Sequence, residues 1–120
     1  MPFAVNDRVE LTAARGGWDG YVSRVLNGPE GVPLYEVRSP ARGNRDEGTQ
    51  IVAEVDINQA LTAATFSAGD QVNVAGLGGV VQTDNADGTF TVDVDEVLNK
   101  HMTIKRTHII PLWQLAVQNT

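Results

Sequence analysis

Phe66-Ser67-Ala68-Gly69-Asp70-Gln71-Val72-Asn73-Val74, followed by Gly76-Leu77-Gly78-Gly79-Val80-Val81, repeats an earlier stretch of the same chain. Its counterpart is Phe3-Ala4-Val5-Asn6-Asp7-Arg8-Val9-Glu10-Leu11, followed by Gly16-Gly17-Trp18-Asp19-Gly20-Tyr21-Val22. Internal repetition sets architecture before any single residue is weighed, and here it predicts two small, similar β units in tandem. Working outward, Gly20-Tyr21-Val22 aligns with Gly79-Val80-Val81, and Tyr35-Glu36-Val37 aligns with Phe90-Thr91-Val92. The offset shrinks only within predicted turns, where insertions are tolerated.

Alternation places strands through most of the chain. Val9 and Leu11 share one face of Arg8 to Thr12, as Val72 and Val74 do in Gln71 to Ala75, and both faces are expected to point inward. Second strands are expected at Gly20 to Leu26 and Gly79 to Thr83. Turns rich in Asn, Asp and Gly follow them at Asn27 to Gly31 and Asp84 to Gly88. Third strands are expected at Leu34 to Arg38 and Thr89 to Val94, and fourth strands at Gln50 to Val55 and His101 to Arg106. The short apolar segments Ile57 to Leu61 and Ile109 to Trp113 fit a single helical turn. Leu112 to Val117 reads as a closing strand, and Gln118 to Thr120 as a frayed end. Ala60 to Thr65 joins the units with neither Gly nor Pro, so it is not a flexible spacer. The boundaries expected are 1–62 and 63–120.

Composition narrows the class. At 120 residues, two units leave each with a thin core, so the pair is expected to pack on each other. The chain has no cysteine, which removes disulfides and thiolate metal sites. No apolar run approaches a membrane span, and Met1 to Asp7 lacks a basic region followed by an apolar stretch. A cytoplasmic or virion location, without secretion by a signal peptide and without membrane contact, is the expectation. Net charge is −6 and the isoelectric point about 4.7, and each half carries a like excess of acid. Sequence-independent binding to phosphate backbones draws on clustered Lys and Arg, so nucleic acid is an unfavoured partner.

These residues resemble a known pattern. A Gly-Asp or Asn-Asp pair before an alternating strand, then a glycine turn of the form G-x-x-G-x-V, then a further strand pair, is similar to the KOW and Tudor-like versions of the Src-homology-3-type small barrel. Gly76 to Val81 and Gly17 to Val22 carry the turn. The resemblance implies an all-β fold of two tandem Src-homology-3-like small β-barrels, and a binding module in place of a catalyst. KOW-type barrels touch RNA or protein through loops, and Tudor types hold methylated Lys or Arg in an aromatic cage. A cage needs several aromatic faces around one cation. Phe3 and Phe66 share a position ahead of a strand, Tyr35 and Phe90 are equivalent strand residues, and all four read as core, which leaves few aromatic residues to build one.

Chemistry finds little purchase. His101 and His108 with Asp93, Asp95 or Glu96 would make a carboxylate and imidazole site, but the two histidines are expected on opposite faces of one strand. Asp84 to Gly88 has part of a calcium-loop composition, yet Ala86 stands where a ligand is needed, and a hairpin turn explains it. Gly76 to Gly79 leads into a strand, whereas a phosphate cradle needs a helix there. Ser23, Ser39 and Ser67 have no His at a suggestive spacing, and there is no Cys nucleophile. No enzyme activity, cofactor, metal or small-molecule substrate is therefore expected.

Three regions stand out for partners. The segment Arg38 to Thr49 concentrates Arg38, Arg42 and Arg45, whose planar forks suit carboxylates and phosphates; the alternative is a solvated loop offset by Asp46 and Glu47. Trp18 at a glycine-loop tip is either a lid over the barrel end or an interface anchor. Asp93 to Lys100, with Asp95 and Glu96, reads as an acidic loop that complements the arginines. The function expected is a structural or assembly module that binds protein partners or copies of itself, as in an accessory virion protein of a phage. The competing reading is a KOW-like partner of a ribonucleoprotein or transcription machine.

Overall fold

The computed structural model describes residues 3–40 and 47–119. The fold is all-β, two antiparallel sheets with one short α-helix. The chain divides between Ala63 and Ala64 into two compact units. The first holds β1 (Arg8–Leu11), β2 (Asp19–Asn27), β3 (Pro33–Ser39), β4 (Gly48–Ala53) and β5 (Ile57–Leu61), in spatial order β4-β3-β2-β1-β5. The second holds β6 (Gln71–Val74), β7 (Leu77–Asp84), β8 (Thr89–Asn99), β9 (Met102–Pro111) and α1 (Leu112–Gln118), in order β6-β7-β8-β9.

The same hydrogen-bonded corner starts each unit. Asn6 and Gly69 both have positive φ, 78° and 93°, the conformation that the third residue of a type II turn demands and that Gly and Asn accept most readily. The turn closes through Asp7 N–H to Ala4 C=O at 3.1 Å and Asp70 N–H to Ser67 C=O at 3.0 Å. In return, Asp7 Oδ2 accepts from Ala4 N–H at 2.9 Å, and Asp70 Oδ2 accepts from Ser67 N–H at 2.7 Å. Two further bonds lock the corner to the second strand: Asn6 N–H to Val22 C=O at 2.8 Å with Val22 N–H to Asp7 C=O at 2.9 Å, and Gly69 N–H to Val81 C=O at 2.7 Å with Val81 N–H to Asp70 C=O at 2.9 Å.

Register carries the likeness further. Val9 lies opposite Gly20 and Val72 opposite Gly79, where a Cβ would stand 2.3 Å from the Arg38 carbonyl oxygen or 3.0 Å from that of Asp93. Both second strands bulge at the same point, between Val22 and Arg24 and between Val81 and Thr83. Extra twist at a bulge curls a sheet over its own inner face. Inside the first curl lie Val9, Leu11, Val22, Tyr35, Val37, Val52 and Ile57. Inside the second lie Val72, Val74, Val81, Phe90, Val92, Val94, Ile110 and Leu115. Phe3 meets Tyr35 edge-on with ring centroids 5.6 Å apart, and Phe66 meets Phe90 in the same way at 5.8 Å. Each such pair contributes about 0.5–1.5 kcal/mol beyond its area.

Several elements differ from the expectations. Ile57–Leu61 is a strand, because the free edge of β1 takes it up: Leu11 pairs with Ile57 and Arg8 with Leu61. The single helical turn comes just before it, at Glu54–Asp56. In the second unit, Ile109 to Pro111 complete β9, and Leu112 to Gln118 form a helix in place of a closing strand. Pro111 precedes that helix, and Leu115, Ala116 and Val117 are buried. Tertiary burial stabilises a helix too short to persist alone. Its end is tied down, since Asn119 Oδ1 accepts from Asn73 N–H at 2.8 Å. The expected acidic loop is strand: β8 runs to Asn99, and β9 returns from Met102.

Replacing Asp70 with Ala is expected to cost the second unit about 0.5–2 kcal/mol, the range for losing an aspartate that caps backbone N–H groups; urea denaturation followed by Trp113 emission in a Trp18→Phe background reads it. Val72 is buried at 6% exposure, so Val72→Asp is expected to unfold that unit outright, seen as loss of its cooperative transition.

Candidate partner-binding surfaces

Trp18 is held by glycines on both sides. A Cβ at Gly48 would lie 2.4 Å from its ring, and one at Gly16 would lie 3.2 Å away. The indole is partly buried against the first core, so it caps that core, and the Trp18 carbonyl accepts from Leu11 N–H at 2.6 Å.

Arg38 stands on the outer face of β3, in a cross-strand row with Arg8 and Tyr21. It donates to Glu47 at 2.9 Å, and Arg8 donates to Asp19 at 2.9 Å. The Asp19 carboxylate raises the already high pKa of Arg8. Beside the row, Glu36 accepts from Ser23 Oγ and from Arg24, both at 2.7 Å. Those two bonds, the serine's first, hold its carboxyl below the usual range. Arg42 and Arg45 lie outside the described residues.

Asp95 and Glu96 do not act together. As neighbours on a strand they face opposite sides. Asp95 lies on the outer face beside Gly78. Glu96 lies on the inner face, where it meets Arg106 at 3.1 Å and His108 at 2.9 Å. His101 sits in the β8–β9 turn, its N–H donating to Asn99 at 2.8 Å. Among the described residues no group of three or more His, Asp or Glu converges as a metal site. In the turn at Asp84 to Gly88 the carboxylates serve their own backbone: Asp84 accepts from Ala86 N–H at 2.8 Å, and Asp87 accepts from the Thr89 hydroxyl and from its N–H at 3.0 Å. These bonds to Thr89 lower the Asp87 pKa. Arg15, at 3.1 Å, likewise lowers that of Asp56, with help from Ala53 N–H.

One surface escaped the sequence reading. β7 pairs with β8 only as far as Gly79 and Val94. From Asp95 onward β8 pairs with β9 alone, through Asp95–Lys105, Glu96–Ile104, Val97–Thr103 and Asn99–Met102. The result is a two-stranded ribbon reaching past its sheet. Near its tip Val97, Leu98 and Met102 are 64%, 51% and 51% exposed. The adjacent Val97-Leu98, which breaks the alternation just before the Asn99-Lys100 turn, was the available signal.

Comparisons with protein-family models, with curated proteins and with solved structures find no match. No helix among the described residues is long and apolar enough to cross a membrane.

Glu36, Asp56 and Asp87 are all held below their ordinary values. Each adds stability that is complete above the ordinary carboxylate pKa and lost as pH falls through the lowered one. The melting temperature is therefore expected to fall as pH drops below about 4, and a curve flat through that window would contradict these bonds. Gly48→Val is expected to push the Trp18 ring into water, read as a red shift of emission in a Trp113→Phe background.

Proposed function

We propose that this chain is a non-enzymatic structural and assembly module that holds protein partners through the loops and strand extensions of two Src-homology-3-like small barrels. In this reading it is an accessory component of a larger assembly, a phage virion being one concrete case. The observation that carries the reading is the β8–β9 ribbon. A two-stranded ribbon is only marginally stable in water by itself, and clustered apolar side chains at its end mark a contact surface. The groups suited to chemistry have structural work: Glu96 binds Arg106 and His108, Asp87 binds Thr89, and Ser39 donates to the Asp19 carbonyl at 2.9 Å. The order β4-β3-β2-β1-β5 fits the KOW-like resemblance as well.

The nucleic-acid reading is disfavoured by charge. The chain carries −6, and Arg8, Arg15, Arg24 and Arg38 are each engaged by a carboxylate.

RNA and DNA titrations at low salt are expected to show no binding; binding that weakens steeply with added salt would replace this reading with the nucleic-acid one. In the native source the protein is expected to co-fractionate with a large protein assembly. Arg42→Glu with Arg45→Glu is expected to reduce that retention and leave the melting temperature nearly unchanged. Equal retention of the double variant would remove the arginine loop from the interface.

A further inference from the structure

The two units build the same row on their outer faces and fill it differently. In the first, Arg8, Tyr21 and Arg38 stand side by side, and Tyr21 is only 5% exposed. In the second, the same places hold Gln71, Val80 and Asp93, and Gly78 replaces Asp19. With Tyr reduced to Val and Asp to Gly, the row leaves a hollow of about 190 Å³ lined by Gln71, Val72, Gly78, Gly79, Val80 and Asp95. A Cβ on Gly78 would meet nothing closer than Asp95 Oδ2, at 3.8 Å. Its lining is two glycines, two valines, the Gln71 amide and one carboxylate, that of Asp95. Such a cleft suits an apolar side chain with a cation beside it.

The ribbon of this same unit supplies that combination. Its tip carries the exposed Val97, Leu98 and Met102. Of the unit's three basic residues, Lys100 stands at the ribbon tip, Lys105 lies opposite Asp95 at its base, and Arg106, one step further in, is paired with Glu96. The ribbon tip thus joins one cation, Lys100, to exposed apolar side chains, and the hollow is bordered by the Asp95 carboxylate. Leu98 cannot reach the hollow of its own molecule. It stands three residues, about 10 Å, up the strand from Asp95, and folding back would break the Glu96–Ile104 and Val97–Thr103 pairs.

We propose that the ribbon tip of one molecule seats in the hollow of a second, with Leu98 or Met102 over Gly78 and Val80 and Lys100 beside Asp95. This rests on the assembly reading above and names this chain as its own partner. Tip and hollow are different surfaces, so the contact closes as a reciprocal twofold dimer or propagates into a ring or an open chain.

Sedimentation velocity from about 1 µM to about 1 mM, the range of weak specific contacts, is expected to show concentration-dependent association that weakens with salt. Gly78→Val fills the hollow at a position with open space, and Leu98→Ser with Met102→Ser strips the tip. Each variant is expected to weaken self-association at least tenfold with an unchanged circular dichroism spectrum. Mixing the two is expected to restore a heterodimer, since one keeps the tip and the other the hollow. Wild-type protein that stays monomeric throughout, Gly78→Val protein that associates as tightly as wild type, or a mixture that stays monomeric would each overturn the proposal. A monomer still retained by its native assembly overturns this inference alone; self-association without any larger native assembly overturns the accessory-component reading alone.

Discussion

An aspartate carboxylate turned back onto the backbone N–H three residues before it sets up everything else in this protein. Asp7 and Asp70 each close a tight turn in this way, and the main chain of the same turn bonds to the middle of the next strand but one. That fixes where β1 and β6 begin relative to β2 and β7. Because side chains alternate, a slip by one residue would turn Val9 and Leu11, or Val72 and Val74, out to water. The corner therefore decides which residues are core, and the bulges at Val22 and Val81 then curl each sheet around them.

With the inner faces fixed alike, the outer faces were free to diverge. The first unit closes its row with Tyr21 between two arginines and caps its core with Trp18. The second leaves the row open at Gly78 and spends its length on the β8–β9 ribbon. Their closing elements diverge too: β5 pairs along the edge of β1, whereas α1 packs its buried face against β6 and is tied to it at Asn119. One scaffold thus yields a unit whose outer row is filled by Tyr21 and paired arginines and another whose row is open at Gly78.

Legibility followed the range of the interactions. The corner residues, the alternating strands, the hairpin at Asp84 to Gly88 and the core roles of Phe3, Tyr35, Phe66 and Phe90 were readable, because each is set by near neighbours or by the repeat. Ile57 to Leu61 and Leu112 to Gln118 were not. Both are short and apolar, and their states are decided by a distant partner, the β1 edge for one and the second core for the other. Among site residues, Arg38 and Trp18 could be singled out from the sequence, and Glu47 could be named as an offset to the arginines, but the glycine that seats Trp18 could not. Asp95 and Glu96 looked like one acidic loop because the reading ended β8 at Val94; the strand continues and sends them to opposite faces. The sequence alignment already matched Val80 with Tyr21, but the hollow needed the cross-strand register, which sets Gln71, Val80 and Asp93 side by side.

Amide hydrogen exchange at the two corners tests the account most directly. The N–H groups of Asn6, Val22, Gly69 and Val81 are predicted to exchange as slowly as those at the centres of β3 and β8, since opening them requires opening the sheet. Exchange of Gly69 and Val81 at the rate of an exposed loop, with β8 still protected, would contradict the claim that the corner holds the fold in register.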